Sequence, residues 1–160
     1  FNEFGAFADE FTVRLFFLSC STVAFCDGVF YYRQDNQAAI TKKPSAALLD
    51  IPDTSWRLWN LIMDSGFDAD VHSPFALRTL RTTIRARALL LNNPSLQHEA
   101  QRVEGTWLSL RKNAVFQQSL AAYSGSAFRK GIYLPAARHR GWFETLAQVS
   151  AFWARQKRAK

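Results

Sequence analysis

Residues 11–32, FTVRLFFLSCSTVAFCDGVFYY, constrain this chain more than any other stretch. A helix that crosses a bilayer needs about 20 mostly apolar residues at about 1.5 Å of rise each. This is the one segment long and apolar enough, although its uninterrupted core, residues 15–26, is shorter. Arg14 lies near one end, where its stem can carry the charge out to the headgroups. Tyr31, Tyr32 and Arg33 suit a membrane–water interface at the other end. On one continuous helix Ser19, Thr22 and Cys26 recur at i, i+3 and i+7, a small-residue face against which another helix could pack closely in lipid. Asp27 would lie beside that face inside the membrane and would need a partner. The alternative is a core helix, because apolar runs of 10–14 residues commonly pack inside soluble proteins. A cleaved secretory signal does not fit: Glu3, Asp9 and Glu10 precede the apolar run where basic residues belong.

The net charge of +7 is unevenly spread. Residues 1–77 hold five Lys and Arg against ten Asp and Glu, a net of −5, and residues 78–160 hold fifteen against three, a net of +12. The basic half calls for an anionic counterpart: acidic partner subunits, an anionic lipid such as cardiolipin, or nucleic acid. Fourteen Phe and five Trp are many for 160 residues and lean toward a membrane or a large interface. Cys20 and Cys26 both sit in the apolar stretch, so neither a disulfide framework nor a CxxC zinc pattern is present. A start at Phe1 rather than Met fits either a removed leader or a sequence that is a piece of a longer one.

The remainder reads as helices. The expected class is mostly α: one N-terminal transmembrane helix followed by a small helical domain, built from a helical hairpin and a C-terminal amphipathic helix. The expected division is an acidic lead-in over 1–10, the span over 11–33, a connector over 34–54 and a basic helical domain over 55–160. Pro52, Asp53 and Thr54 announce a helix over 55–64 that carries Trp56, Trp59 and Met63 along one side. Ser73 and Pro74 read as cap and first position of a helix to about Leu91. Leu96, Ala100, Val103, Trp107 and Leu110 form the stripe of its hairpin partner. Gly105 within that partner permits a close neighbour. Residues 124–131, SGSAFRKG, read as a hinge loop bearing Arg129 and Lys130, and residues 132–134 as a brief extended piece. In the last helix Trp142, Leu146, Val149 and Trp153 form one stripe, widened by Phe143 and Phe152.

Two clusters carry chemistry. Arg78, Arg81 and Arg85 make a stripe with no acidic residue on the same helix, and such arginines grip phosphates or carboxylates in forked geometry. Arg129 and Lys130 are further candidates for contact with anionic lipid or an acidic partner. Asp68, Asp70 and His72 alternate, and on an extended segment could point metal-ligating atoms to one side. They lack the glycine and terminal carboxylate of a calcium loop, and no metal or cofactor is expected. No Walker pattern, GxSxG or HExxH occurs, and no spacing singles out a nucleophile with its base. The expected function is therefore non-catalytic. It is that of an accessory subunit of a multi-subunit membrane complex, placed in the mitochondrial inner membrane (respiratory chain or ATP synthase) with the C-terminal body on the matrix side, or else in another membrane with the C-terminus cytosolic. The alternatives are an RNA-associated protein, such as an organellar ribosomal subunit, and a soluble helical domain with residues 11–32 as its core.

Overall fold

The longest helix among the described residues, α3, runs Ala69–Asn92 and has five others packed on it. The computed structural model describes residues 7–24, 27, 28 and 44–158, and among these every regular element is helical. In chain order the helices are α1 (Ala8–Ser19), α2 (Asp50–Asp64), α3, α4 (Ala100–Lys112), α5 (Ala114–Ala121), α6 (Ala127–Arg138) and α7 (Arg140–Arg158). Short 3-10 turns at Ala46–Leu49 and Pro94–Glu99 lead into α2 and α4. Helices α2, α4, α5, α6 and α7 all pack on α3, and α1 packs on α2.

The buried face of α3 carries Ala76, Leu77, Leu80, Ile84, Ala88 and Leu90, interleaved with Thr79 and Thr83. The two threonines are tolerated because their hydroxyls are used. Thr83 Oγ1 donates to the Thr79 carbonyl at 2.9 Å. Thr79 Oγ1 lies 2.9 Å from the Phe75 carbonyl of its own helix and 3.0 Å from the Ser55 carbonyl of α2, which ties the two helices together. Aromatic rings fill the space between helices. Trp56 and Trp59 of α2 stack at 4.9 Å, with Phe116 of α5 edge-on to Trp59 at 5.2 Å. Trp107 of α4 stacks on Phe143 of α7 at 5.1 Å and donates its indole N–H to the Ala136 carbonyl of α6. The expected hairpin is present as α3 and α4, and Val103, Trp107 and Leu110 of the expected stripe are buried.

The continuous span does not form. Helix α1 ends at Ser19, and Cys20 is extended (φ −87°, ψ 136°). Among the described residues no helix is long and apolar enough to cross a membrane. The local cause lies in the run Ser19, Cys20, Ser21, Thr22, Val23, whose small polar and β-branched residues are mediocre helix formers. Ser19 Oγ donates to the Leu15 carbonyl and Cys20 N–H to the Phe16 carbonyl, which closes the last turn. Thr22 lies beyond the helix, so it shares no helical face with Ser19; Asp27 is outside any helix and exposed. Cys26 and residues 34–43 of the expected connector lie outside the described residues. Instead of spanning, α1 lies against the body, with Phe11 beneath the Arg57 guanidinium at 5.1 Å.

Other boundaries move for local reasons. α2 begins at Asp50, with Pro52 in its first turn, where a missing N–H costs nothing. α3 begins at Ala69 rather than Pro74, so Ser73 is a buried helical residue instead of a cap. The basic hinge is largely helical: Ser126 caps α6 by accepting from the Arg129 N–H, and residues 127–138 continue through Pro135. Gly105 has open space where a Cβ would sit, so no neighbour approaches closely there. In α7 the aromatic stripe faces outward. Phe143, Ala147 and Ala151 are buried, while Trp142, Val149, Phe152 and Trp153 are exposed, Trp153 by 61%. α7 packs on α3 with Ala147 and Ala151 buried, and Asn92 Nδ2 of α3 donates to the Ala151 carbonyl at 2.9 Å.

This division of α7 sets a contrast in stability. Phe143→Ala should lower the free energy of unfolding by about 3–5 kcal/mol through the cavity it leaves. Trp153→Ala should change it by no more than about 0.5 kcal/mol. Urea unfolding followed by circular dichroism measures both, and equal losses would contradict the observed facing of the helix.

Candidate functional site

Arg78, Arg81 and Arg85 stand at i, i+3 and i+7 on α3 and therefore share one face. That face forms a wall of a cleft of about 350 Å³ rather than a convex surface. Ile51 and Thr54 at the start of α2 form another wall, and Phe7 and Glu10 bring α1 across the end. Each arginine has a different environment. Arg78 is paired with Glu10, both side chains about a third exposed. The Arg81 guanidinium lies 5.9 Å from the ring centre of Tyr133 on α6, a cation–π contact that leaves its N–H groups free for other acceptors. Arg85 is exposed and has no hydrogen-bonding or ionic partner among the described residues.

The lining thus holds three guanidinium groups against one carboxylate. Thr82 also faces the cleft; its hydroxyl donates to the Thr79 carbonyl at 2.9 Å, so its oxygen lone pairs remain available. Planar guanidinium forks in a concave, partly desolvated setting suit phosphate or carboxylate oxygens. The other arginine of α3 in this region is neutralised: Arg87 Nε sits 3.0 Å from Glu144 of α7. Arg102 of α4 is likewise occupied, 2.7 Å from Asp50 and also bonded to Asp53. Burial alone would lower the Arg102 pKa, but its hydrogen bonds with the two aspartates outweigh that and hold it above the usual value.

The remaining expected residues are dispersed. Arg129 and Lys130 occupy the first turn of α6, outside the cleft lining, with Arg129 exposed. Asp68, Asp70 and His72 sit at the start of α3 rather than on an extended segment, so the alternation no longer aims them together. Among the described residues no group of three or more His, Cys, Asp or Glu could hold a metal ion. The His72 ring is engaged elsewhere: Nδ1 lies 2.7 Å from Ser119 Oγ, which also accepts the Trp59 indole N–H at 3.1 Å. A Ser–His contact invites comparison with an activated nucleophile. Here the serine is 2% exposed within the Trp59–Phe116 cluster, and no carboxylate orients the imidazole among the described residues. The trio works as a polar pin joining α2, α3 and α5. Sequence reasoning missed it, since 47 residues separate His72 from Ser119. It also missed Glu10, whose only signal was an acidic lead-in lacking basic neighbours.

Comparison of the chain with protein-family models, curated proteins and solved structures gives no match.

If Ser119 is a pin, Ser119→Ala strands a buried indole N–H. The substitution should cost about 1–3 kcal/mol of stability in urea or thermal unfolding. An unchanged transition would show that Trp59 and His72 do not depend on that hydroxyl.

Proposed function

We propose that this protein is a non-catalytic helical binding module, an accessory piece of a larger assembly, and that the Arg78–Arg81–Arg85 cleft receives an anionic group of its partner. The observation that carries this is the charge imbalance of the cleft: a concave wall with three arginines, of which, among the described residues, only Arg78 has a carboxylate. A guanidinium without a carboxylate partner in a concave site keeps its N–H donors available to an anion that enters. Exposed Trp142, Val149, Phe152 and Trp153 on α7 support membership in an assembly, because contiguous exposed apolar surface marks contact with another body. The partner groups with suitable chemistry are the phosphate of an acidic lipid and the carboxylates of a neighbouring subunit. A helix that stops at Ser19 gives no basis for a matrix-side orientation through a span, so attachment through the basic cleft replaces insertion in this proposal.

Titration with inorganic phosphate, followed through the arginine Nε–H signals by NMR, tests the cleft. The Arg81 and Arg85 signals should move together and saturably, and Arg85→Gln should abolish the effect on Arg81. Glu10→Gln removes the one competing carboxylate and should tighten phosphate binding about fivefold, the worth of one unit charge at about 4 Å in water. Small, uniform shifts at all arginines would sink the proposal.

A further inference from the structure

Resting on the anion-binding role of the cleft, we infer that its ligand is an amphiphile, an anionic head carrying a single alkyl chain, and that the chain lies in a second hollow adjoining the first. That hollow, about 190 Å³, is bounded by Leu48, Ile51, Thr82, Arg85, Ala86 and Leu89. Ile51, Thr82 and Arg85 line both spaces, so the two adjoin at these three residues.

The chemistry changes sign along this path. On α3, Thr82, Ala86 and Leu89 recur at i, i+4 and i+7, a stripe adjacent to the arginines. Beyond Arg85 the lining carries no further charge: Leu48 of the turn before α2, Ile51 and Leu89 form apolar sides, all half-buried. Ala86 is the buried floor, and its small side chain keeps the hollow open. Arg85, exposed and unpaired among the described residues, stands at the junction. A head held by Arg81 and Arg85 therefore starts its chain at an apolar trough. A bare inorganic anion would leave that trough hydrated, and a neutral hydrophobe would leave the guanidinium groups without a counter-charge.

Calorimetric titration of the intact chain with inorganic, butyl, hexyl and octyl phosphate, each below its micelle concentration, tests this. A buried methylene tightens binding about fourfold. With two or more methylenes buried, octyl phosphate should bind at least about tenfold more tightly than butyl phosphate. Leu48→Gln should flatten this chain-length dependence while leaving inorganic phosphate affinity unchanged, and Arg85→Gln should weaken every member of the series. Octyl phosphate binding no tighter than butyl overturns the amphiphile and leaves the anion cleft standing. Absence of binding by all four probes overturns both. Pelleting with vesicles containing lysophosphatidic acid separates the two sources of such a ligand. Leu48-dependent co-sedimentation assigns it to a membrane; a protein that stays in the supernatant while binding octyl phosphate assigns it to a free amphiphile.

Discussion

A helix packed by five others cannot also bury arginines without counter-charges, and α3 carries four of them between residues 78 and 87. Removing a guanidinium from water costs several kcal/mol unless an anion and hydrogen bonds replace the lost solvent. The surrounding helices obey that limit one arginine at a time. Where α7 closes on α3, Glu144 meets Arg87. Where α1 lies across the body, Glu10 meets Arg78. Among the described residues nothing acidic pairs with Arg81 or Arg85, and there the structure stays open as a cleft. The site is thus what remains when a central helix is covered everywhere its charges permit.

The same reasoning explains how much was legible beforehand. Helical class, the α3–α4 hairpin and the buried Val103, Trp107 and Leu110 stripe follow from periodicity, which reports burial directly when one face is apolar. The arginine stripe was legible for the same reason: spacing fixes a shared face. Its concavity was not, because that depends on α1 and the start of α2, which are remote in sequence. The aromatic stripe of α7 was legible as a stripe, but its facing was not: Phe143, Ala147 and Ala151 are buried, whereas Trp142, Val149, Phe152 and Trp153 are exposed. Residues 11–32 misled. Mean apolarity over the stretch outweighed the weak helix formers between Ser19 and Val23, which end α1 after 12 residues. The Trp59–Ser119–His72 pin left no sequence trace, because a serine and a histidine far apart are common and their pairing is a product of the fold.

An accessory binding role suits the division of labour in this molecule. Aromatic stacks and the Ser119 pin join the helices of the interior, and Ser119 itself is almost fully buried. The surface is where the chain departs from an ordinary soluble helical domain: a cleft with excess positive charge on one side of α3, and exposed aromatics on α7. The two features lie on elements packed against each other, so a partner engaging one is positioned by the same scaffold as a partner engaging the other.

The most direct measurement is amide hydrogen exchange of the intact chain. If α3 is the element on which the others are assembled, its amides over residues 77–90 should be the slowest to exchange and should open only with global unfolding. The amides of α1, which buries no residue completely, should exchange orders of magnitude faster. Exchange of residues 77–90 at the rate of α1 would mean that α3 is not held at the centre, and the cleft built on its arginine face would have no fixed wall.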